Sequence, residues 1–334
     1  MLLAVETSCD DSAAAFLSAD GSVLAQEVFT QPTQMGGVVP EIASRLHMEV
    51  LPDMVNRVLA SADASLDDVK YFSATAGPGL VGSLLVGLSF TKAAAMALNR
   101  PFLGINHLAA HIHIHYSSAS KVRFPAVALL VSGGHTALFH MTGWNACTLL
   151  GSTRDDAAGE AFDKTAKLMH LGYPGGKALD LLAATGNPDA VDLPSPLGAA
   201  HSPEFSFSGL KTAVRLAWET GRYSAEDMAA SFRARVCGIL TKKLYFQARK
   251  LRAVSVLAAG GVTANSLLRE SLAAGATRMG VDLFLPPMQH TTDNAVMVGR
   301  AALAELDFNP AARSPLSCNA FARWSGEELS RLCC

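Results

Sequence analysis

The chain opens with short apolar runs that alternate with polar turns and with longer stretches of helical periodicity. In the first 100 residues this pattern predicts four strands and two helices, namely strands over 2–5, 13–17, 22–27 and 71–76 and helices over 40–60 and 82–98. Strands and helices that alternate along a chain are typical of α/β proteins, so we expect an α/β fold.

After residue 125 a similar order of elements begins again. A strand over 126–131 leads through the polar turn 132–136 into a return strand over 137–141, and a later strand over 255–259 runs toward a helix near Asn265. This weak internal repeat predicts a duplicated fold, although the residues of the two halves barely match.

The length of 334 residues, half of them hydrophobic, is enough for two cores. We expect two related domains, residues 1–122 and 123–334, with a helical insertion around 160–250 in the second. The C-terminal helix could instead cross back to the first domain. A duplicated fold of this kind places its ligand in the cleft between the halves.

Composition restricts where the protein works. The six cysteines are scattered with no CxxC spacing, which favours a reducing compartment over a disulfide framework. The N-terminus starts as a strand and lacks the basic region of a signal peptide. The longest apolar run, 82–98, is interrupted by Lys92 and is rich in Gly and Ala, which indicates a buried helix. We therefore expect a cytoplasmic protein with no membrane segment.

The net charge of −2 gives no overall attraction for nucleic acid, but the charge is unevenly spread. Residues 207–252 carry 10 basic and 3 acidic residues, whereas residues 1–70 carry 3 basic and 11 acidic ones. The basic stretch could bind a polyanion, or it could be a pair of solvated helices. Composition does not choose between these interpretations.

The sharpest local motif is the histidine-rich segment 106–115, NHLAAHIHIH. His107 and His111 are four residues apart, so on a helix their imidazoles share one face and can bind one metal ion. His115 would lie on the same face one turn later, and His113 would point elsewhere. Two unrelated histidines often have this spacing, so the interpretation needs a third ligand.

Asp293 is the candidate third ligand. It lies in the polar segment 289–294, directly before a helix that should start at Ala295. Two imidazoles and one carboxylate suit Fe(II) or Zn(II) and leave positions open for substrate oxygens. The alternative role of Asp293 is to cap the N-terminus of that helix.

Glycine-rich turns are candidate binding sites for an anion or a nucleotide. Four of them follow strands or lie beside helix starts, at 76–79, 132–136, 172–176 and 259–261. Glycine lets backbone amides approach a ligand closely, and none of these turns has the spacing of a P-loop or a dinucleotide-binding motif. Asp163 and Asp180 could bind hydroxyl groups of ribose or of an amino acid, or could be ordinary charges on helix surfaces.

A further carboxylate cluster, Glu6-Thr7-Ser8-Cys9-Asp10-Asp11, forms the turn after the first strand. Nothing in the sequence activates the thiol of Cys9, so we interpret it as a half-buried structural residue.

Ten segments resemble motifs of the tRNA N6-adenosine threonylcarbamoyltransferase family, formerly described as glycoproteases. In chain order they are VETSCDDSA, GGVVPEIASRLH, ATAGPGLVGSLLVG, GINHLAAHIHIH, LLVSGGHT, GEAFDKTAKL, GYPGG, FSFSGLKTA, AAGGVTAN and TTDNAVMVG. They have the order of the family's motifs and extend from Met1 to about Trp324, so the resemblance covers nearly the whole chain.

The resemblance implies a duplicated actin/Hsp70-like ATPase fold and an acyltransferase. That enzyme moves the threonylcarbamoyl group of threonylcarbamoyl-AMP to N6 of adenosine 37, in tRNAs that read codons beginning with adenine. The implied partners are tRNA, a non-catalytic paralogous subunit and a small P-loop-type ATPase.

The resemblance also assigns site residues. The positions that match the family's metal ligands, with iron the usual metal and zinc the alternative, are His107, His111 and Asp293. The positions that match its substrate-binding residues are Leu130, Val131, Ser132, Gly133, Gly134, Asp163, Gly176, Asp180 and Asn265. In such a fold the acidic turn 6–11 faces the phosphates or the metal, and Asp10 is our candidate base for the N6 proton.

Two positions depart from the family's pattern. Ala109 and Ala110 lie between the metal histidines, where Glu-Gly is common. Leu130 lies where archaeal members carry a tyrosine ligand, which leaves a coordination position to solvent or substrate.

Three rival functions agree less well with the residues. A zinc peptidase needs a glutamate after the first histidine, and Leu108 occupies that position. A kinase of the same fold has no use for a His/His/Asp group, and a non-catalytic paralogue is expected to lack the histidine pair.

Overall fold

The computed structural model of the protein describes residues 1–32, 37–172, 174–195 and 201–323. The strands are β1 (Leu2–Glu6), β2 (Asp11–Leu17), β3 (Val23–Thr30), β4 (Tyr71–Gly77), β5 (Phe102–Asn106), β6 (Ala126–Val131), β7 (Thr136–Gly143), β8 (Ala146–Ser152), β9 (Ser255–Ala259) and β10 (Asp282–Phe284). The α-helices are α1 (Pro40–Ser61), α2 (Val81–Ala97), α3 (His107–His113), α4 (Ala158–Leu168), α5 (Gly176–Leu182), α6 (Ser208–Glu219), α7 (Ala225–Lys250), α8 (Ser266–Met279) and α9 (Ala295–Phe308).

The two sheets of the described residues repeat one topology. The first has the strand order β3-β2-β1-β4-β5, and the second has the order β8-β7-β6-β9-β10. In both, the central strand pairs antiparallel with the strand that follows it and parallel with a strand reached through helices. The sheet order therefore confirms the duplication that the weak sequence repeat predicts.

The chain forms two compact units. The first contains Met1–Lys121, Gly143–Thr148 and the residues from Thr292 onward, and the second contains Val122–Thr142 and Leu149–Thr291. Within the second unit, helices α4 to α7 lie between residues 158 and 250.

The C-terminal helix α9 belongs to the first unit, where it packs on β1 and β2. Gly299 makes this close approach possible, because a Cβ atom there would lie 2.6 Å from Cδ1 of Leu17 and 3.2 Å from Cβ of Ala4. The predicted division at residue 122 assigned this segment to the second domain. The structure differs because α9 is apolar on nearly every side and is buried against the first sheet.

The core of the first unit lies between its sheet and helices α1 and α2, and its large buried side chains include Phe16, Met54 and Phe72. The core of the second unit joins β6 and β9 to helices α4 to α8. Among the residues that the structure describes, no helix has both the length and the apolar character needed to cross a bilayer.

Three cysteines, Cys9, Cys147 and Cys237, are free thiols.

Candidate metal centre and glycine-rich turns

Helix α3 begins where strand β5 ends. The side chain of Asn106 accepts hydrogen bonds from the backbone N–H groups of Leu108 and Ala109, which fixes the first turn of the helix. As predicted, His107 and His111 then lie one turn apart on one face, with ring centroids 4.6 Å apart in an edge-to-face arrangement. Both side chains are buried.

Helix α9 packs against α3, and the loop before α9 brings Asp293 to the two histidines. Its Oδ1 atom lies 3.2 Å from Nε2 of His111 and 3.7 Å from Nε2 of His107. The N-cap of α9 is Asn294, whose side chain accepts the N–H of Met297. Asp293 is therefore not the cap, and its carboxylate faces the imidazoles.

The other side of the His107 ring is held by the turn after β1. Its Nδ1 atom lies 3.3 Å from Oε2 of Glu6 and 3.2 Å from Oγ of Ser8. Burial lowers the pKa of His107, but Asp293 and Glu6 outweigh it and raise the pKa to about 9. A carboxylate only accepts hydrogen bonds, so an Nδ1–H that points to Glu6 leaves Nε2 directed at Asp293.

These three side chains form a group that could hold a metal ion. One nitrogen from each histidine and one carboxylate oxygen of Asp293 lie within 4.8 Å of one another. Nε2 of His111 is buried and makes no hydrogen bond of acceptable geometry, although it lies beside the carboxylate. Two imidazoles and a carboxylate are a donor set that divalent transition metals prefer, so the residues fit a metal ion.

The other two histidines of the motif take no part in this group. His113 is fully buried, and its two ring nitrogens lie 2.7 and 2.8 Å from the carbonyl oxygens of Ala109 and Trp144. His115 was expected on the same helical face as His107 and His111. Helix α3 ends at His113, so His115 lies outside the helix. The prediction that His113 points elsewhere is confirmed.

The acidic turn after β1 surrounds this group with further oxygens. Glu6 is fully buried and accepts hydrogen bonds from Ser8 N and Thr75 Oγ1, both at 2.5 Å. Burial raises the pKa of Asp11 to about 7, and its Oδ1 atom has no hydrogen-bond partner among the residues that the structure describes. Asp10 is half-buried in the same turn.

Cys9 is not an activated nucleophile. Burial raises the pKa of its thiol, and the neighbouring carboxylates Asp10 and Asp293 raise it further. This agrees with its interpretation as a structural thiol.

In the second unit the turn after β6 is open at its two glycines. Gly133 and Gly134 are exposed, and their N–H groups make no hydrogen bond within the described part of the chain. The turn is closed by Ser132 N, which donates to the carbonyl of His135 at 2.8 Å. Leu130 and Val131 have fully buried side chains inside β6, so only their backbone could touch a ligand.

Gly260 packs closely against the backbone of Val131 and Ser132, where this turn begins. It has a φ of +94°, and a Cβ atom there would lie 2.4 Å from the carbonyl oxygen of Val131. Only glycine combines this conformation with so close an approach. The glycine-rich segment 259–261 therefore packs against the turn after β6.

Asp163 fixes the glycine-rich turn 172–176 at Gly175. Its Oδ1 atom accepts the N–H of Gly175 at 2.8 Å, just before α5 begins at Gly176. Burial raises the pKa of Asp163, and the hydrogen bonds from Gly175 and Gly176 oppose that effect. Tyr173 of this motif lies outside the described residues.

Asp180 and Asn265 are brought into direct contact. Oδ1 of Asp180 accepts hydrogen bonds from Asn265 Nδ2 at 2.9 Å and from Arg233 Nη1 at 2.8 Å. Ser266 adds its hydroxyl to Oδ1 at 3.2 Å and its N–H to Oδ2 at 3.1 Å. From the described residues, the Oδ1 atom thus accepts three hydrogen bonds and Oδ2 accepts one.

Comparison with known proteins decides the family. The model of the tRNA N6-adenosine threonylcarbamoyltransferase family matches residues 22–300. A protein of that name from Moorella thermoacetica is 45% identical over 330 residues, which are 96% of this chain and 95% of the relative. Another from Geobacter sulfurreducens is 46% identical over 306 residues, 89% of each chain.

The chain belongs to the tRNA N6-adenosine threonylcarbamoyltransferase family.

Solved structures of low sequence identity agree on the fold. T. kodakarensis HypF is similar with a TM-score of 0.64 and 14% identity, over 92% of this chain and 48% of HypF. The Acidaminococcus fermentans (R)-2-hydroxyglutaryl-CoA dehydratase component A has a TM-score of 0.55 and 15% identity, over 92% of this chain and 98% of that one. The predicted duplicated actin/Hsp70-like ATPase fold is confirmed for this threonylcarbamoyltransferase family member.

Sequence reasoning about this family member missed two supporting side chains. Glu6 was placed in the acidic cluster, but nothing predicted that it holds the Nδ1 side of His107. Arg233 was counted only within the basic stretch, and it lies against Asp180. Ala109 and Ala110, which depart from the family's pattern between His107 and His111, are both fully buried in α3.

Proposed function

We propose that this chain transfers the threonylcarbamoyl group of threonylcarbamoyl-AMP to N6 of adenosine 37, in tRNAs that read codons beginning with adenine. Membership of the family supports the reaction. The observation that carries the proposal is the buried group of His107, His111 and Asp293, because a kinase or a scaffold protein would not need it.

The metal proposed for this group is Fe(II), with Zn(II) as the alternative, since both accept two imidazoles and a carboxylate. Bound there, the ion would polarise donor oxygens and stabilise the negative charge that develops during transfer. The residues of the chain prepare its binding: Glu6 and Ser8 fix the ring of His107 on the side opposite Asp293.

Donor binding is proposed for the residues of the second unit. The free N–H groups of Gly133 and Gly134 are suited to an anionic group of threonylcarbamoyl-AMP. Oδ2 of Asp180 accepts one hydrogen bond, so it keeps a lone pair for a donor hydroxyl. Asn265 and Asp163 would act by holding Asp180 and the turn before Gly176 in place.

Proton removal from N6 is proposed for Asp10, a half-buried carboxylate of the acidic turn. The donor is a mixed anhydride that is already activated, so no covalent intermediate on the enzyme is needed. This agrees with the raised pKa of the Cys9 thiol, which keeps the sulfur protonated. N6 is a poor nucleophile, and orientation of the two substrates should supply much of the acceleration.

The proposed partners are tRNA, a non-catalytic paralogous subunit and a small P-loop-type ATPase. Helices α1 and α2 carry exposed apolar side chains along a groove of about 520 Å³, among them Met48 and Leu85, which are 60% and 41% exposed. An exposed apolar groove of this kind is typical of a protein interface. We propose it as the surface that binds the paralogous subunit.

Reconstitution tests the reaction. Purified protein is incubated with threonylcarbamoyl-AMP, unmodified tRNA and both partners, and the digested nucleosides are analysed by mass spectrometry. We expect threonylcarbamoyladenosine with the wild type and none with His107→Ala. Absence of product from the wild type, while a known family member forms it with the same partners, would contradict the proposal.

The basic stretch 207–252 is the proposed contact for the tRNA backbone, and the structure separates two lysines that the sequence treats alike. Lys242 is exposed on α7. Lys243 is 3% exposed, and its Nζ donates a hydrogen bond to the carbonyl of Ser202 at 2.9 Å. A double Lys242→Glu/Lys243→Glu variant would therefore mix a surface effect with damage to the core.

We expect Lys242→Glu alone to weaken tRNA binding and to lower the slope of log affinity against log salt by about 1, because one phosphate contact is lost. Fluorescence titrations at several salt concentrations measure both quantities. Lys70→Glu, an exposed lysine of the acidic first unit, is the matched control and should change neither. Equal behaviour of the two variants would exclude this face of α7 from the tRNA contact.

A further inference from the structure

His47 of helix α1 is fully buried, although it is an imidazole in a helix that carries exposed polar side chains. Its Nε2 atom lies 2.9 Å from the carbonyl oxygen of Cys9, and its Nδ1 atom lies 2.6 Å from the hydroxyl of Ser12. One ring nitrogen therefore contacts the acidic turn at Cys9, and the other contacts Ser12 in strand β2, directly after the turn. The residues involved are 38 and 35 positions away along the chain.

The partners fix which nitrogen carries the proton. A carbonyl oxygen only accepts, so Nε2 donates to Cys9, and Nδ1 accepts from the hydroxyl of Ser12. Burial lowers the pKa of His47, which agrees with a neutral ring. Gln31 adds a second donor near Nδ1, at 3.4 Å, and also bonds the carbonyl of Ala43 on α1.

The Cys9 peptide, which His47 binds, follows directly after Ser8, and Ser8 contacts the candidate metal group. Ser8, the residue before Cys9, places its hydroxyl 3.2 Å from Nδ1 of His107 and donates its N–H to Glu6. The carbonyl of Ser8 accepts the N–H of Leu80 at 2.8 Å. The segment 8–9 is thus held by α2 on one side and by α1, through His47, on the other.

We propose that His47 is a positioning residue, which holds the Cys9 peptide so that Ser8 and Glu6 orient His107 for metal binding. Its hydrogen bonds within the described part of the chain go to Cys9, Ser12 and Gln31, and none goes to His107, His111 or Asp293. The inference rests on the metal group of the proposed function, but its test does not require transferase activity. A histidine that only fills the core would contribute packing, and its replacement would leave the metal group unchanged in affinity.

Two substitutions separate these roles. In His47→Gln the amide nitrogen can take the place of Nε2 and donate to the Cys9 carbonyl, so the hydrogen bond to the turn is kept. In His47→Asn the shorter side chain reaches only the Nδ1 position and the bond to Cys9 is lost. Both variants place a polar amide in the same buried site, and His47→Asn should be the less stable of the two because it also leaves the Cys9 carbonyl without this hydrogen bond.

The readout is the dissociation constant of the purified full-length protein for Fe(II), measured anaerobically, and for Zn(II), with the free energy of unfolding measured in parallel. We expect His47→Asn to bind either metal about tenfold more weakly, which is the lower limit of the effect of removing a direct outer contact of a metal ligand, because His47 acts one contact further out, through Ser8. His47→Gln should remain within about threefold of the wild type.

Unchanged metal affinity in His47→Asn would overturn the proposal. A loss of metal affinity in both variants, in proportion to their loss of stability, would also overturn it. If His47→Asn does not fold, an affinity in His47→Gln more than about tenfold below that of the wild type overturns it as well. A wild type that binds metal but forms no modified nucleoside refutes the proposed reaction and leaves the role of His47 intact.

Discussion

Replacing His107 with alanine should abolish stoichiometric metal binding and with it the transferase activity. The variant removes one of three ligands and leaves Glu6 and Asp293 as two carboxylates with no cation between them. Loss of an outer contact alone weakens metal affinity 10- to 100-fold, so loss of a ligand should exceed about 100-fold. Elemental mass spectrometry of the purified variant, with a titration of Fe(II) or Zn(II), measures the effect.

His113→Ala is the control from the same helix. His113 is also fully buried, but its nitrogens bind backbone carbonyls rather than the metal group. Its removal should lower stability while the metal content stays near that of the wild type. Full metal occupancy in His107→Ala would mean that this group does not bind the metal. Equal loss of metal in both variants would mean that the loss only reports unfolding.

The second large effect is expected at Arg233, whose hydrogen bonds connect α7 to α5 in the second unit. Its side chain is 13% exposed and donates to the carboxylate and the carbonyl of Asp180 and to the carbonyl of Ala183. Arg233→Met should lower the free energy of unfolding by about 3 kcal/mol, because one partner of a largely buried ion pair is removed. Hydrogen exchange in α5 and α8 should speed up in the same variant.

Arg235→Met is the matched control for this prediction, two residues along the same helix. Arg235 lies 3.6 Å from Asp192, whose side chain is fully exposed. Exposed pairs contribute little, so the free energy of unfolding should change by less than about 1 kcal/mol. If the two variants lose the same stability, the Asp180 network is not what holds α5 against α7 and α8.

Local patterns predicted the elements well because each depends on periodicity within a few turns. Helix α1, predicted over 40–60, spans Pro40–Ser61, and strands β6 and β9 have the predicted bounds. The spacing of His107 and His111 placed both on one helical face for the same reason. Such contacts are set by the helix itself and need no knowledge of the fold.

Contacts between distant segments escaped the same reasoning. The partner of His47 lies 38 residues away and that of Arg233 lies 53 residues away, and no local pattern records either pairing. Lys243 looked like a surface charge, but it is buried and donates a hydrogen bond to the carbonyl of Ser202. Asp293 was proposed as third ligand from its position before a helix start and from the family resemblance, but its distance to His111 depends on how α9 packs on α3, which no local pattern records.

The return of the C-terminal segment to the first unit has a consequence for the order of events during synthesis. Residues 1–121 leave the ribosome first, whereas α9, which packs on β1 and β2, is synthesised close to the end of translation. Domains usually fold as they emerge, N-terminal first. Here the second unit, Val122–Thr142 and Leu149–Thr291, is complete before the first, and His107 and His111 are synthesised long before Asp293 can join them.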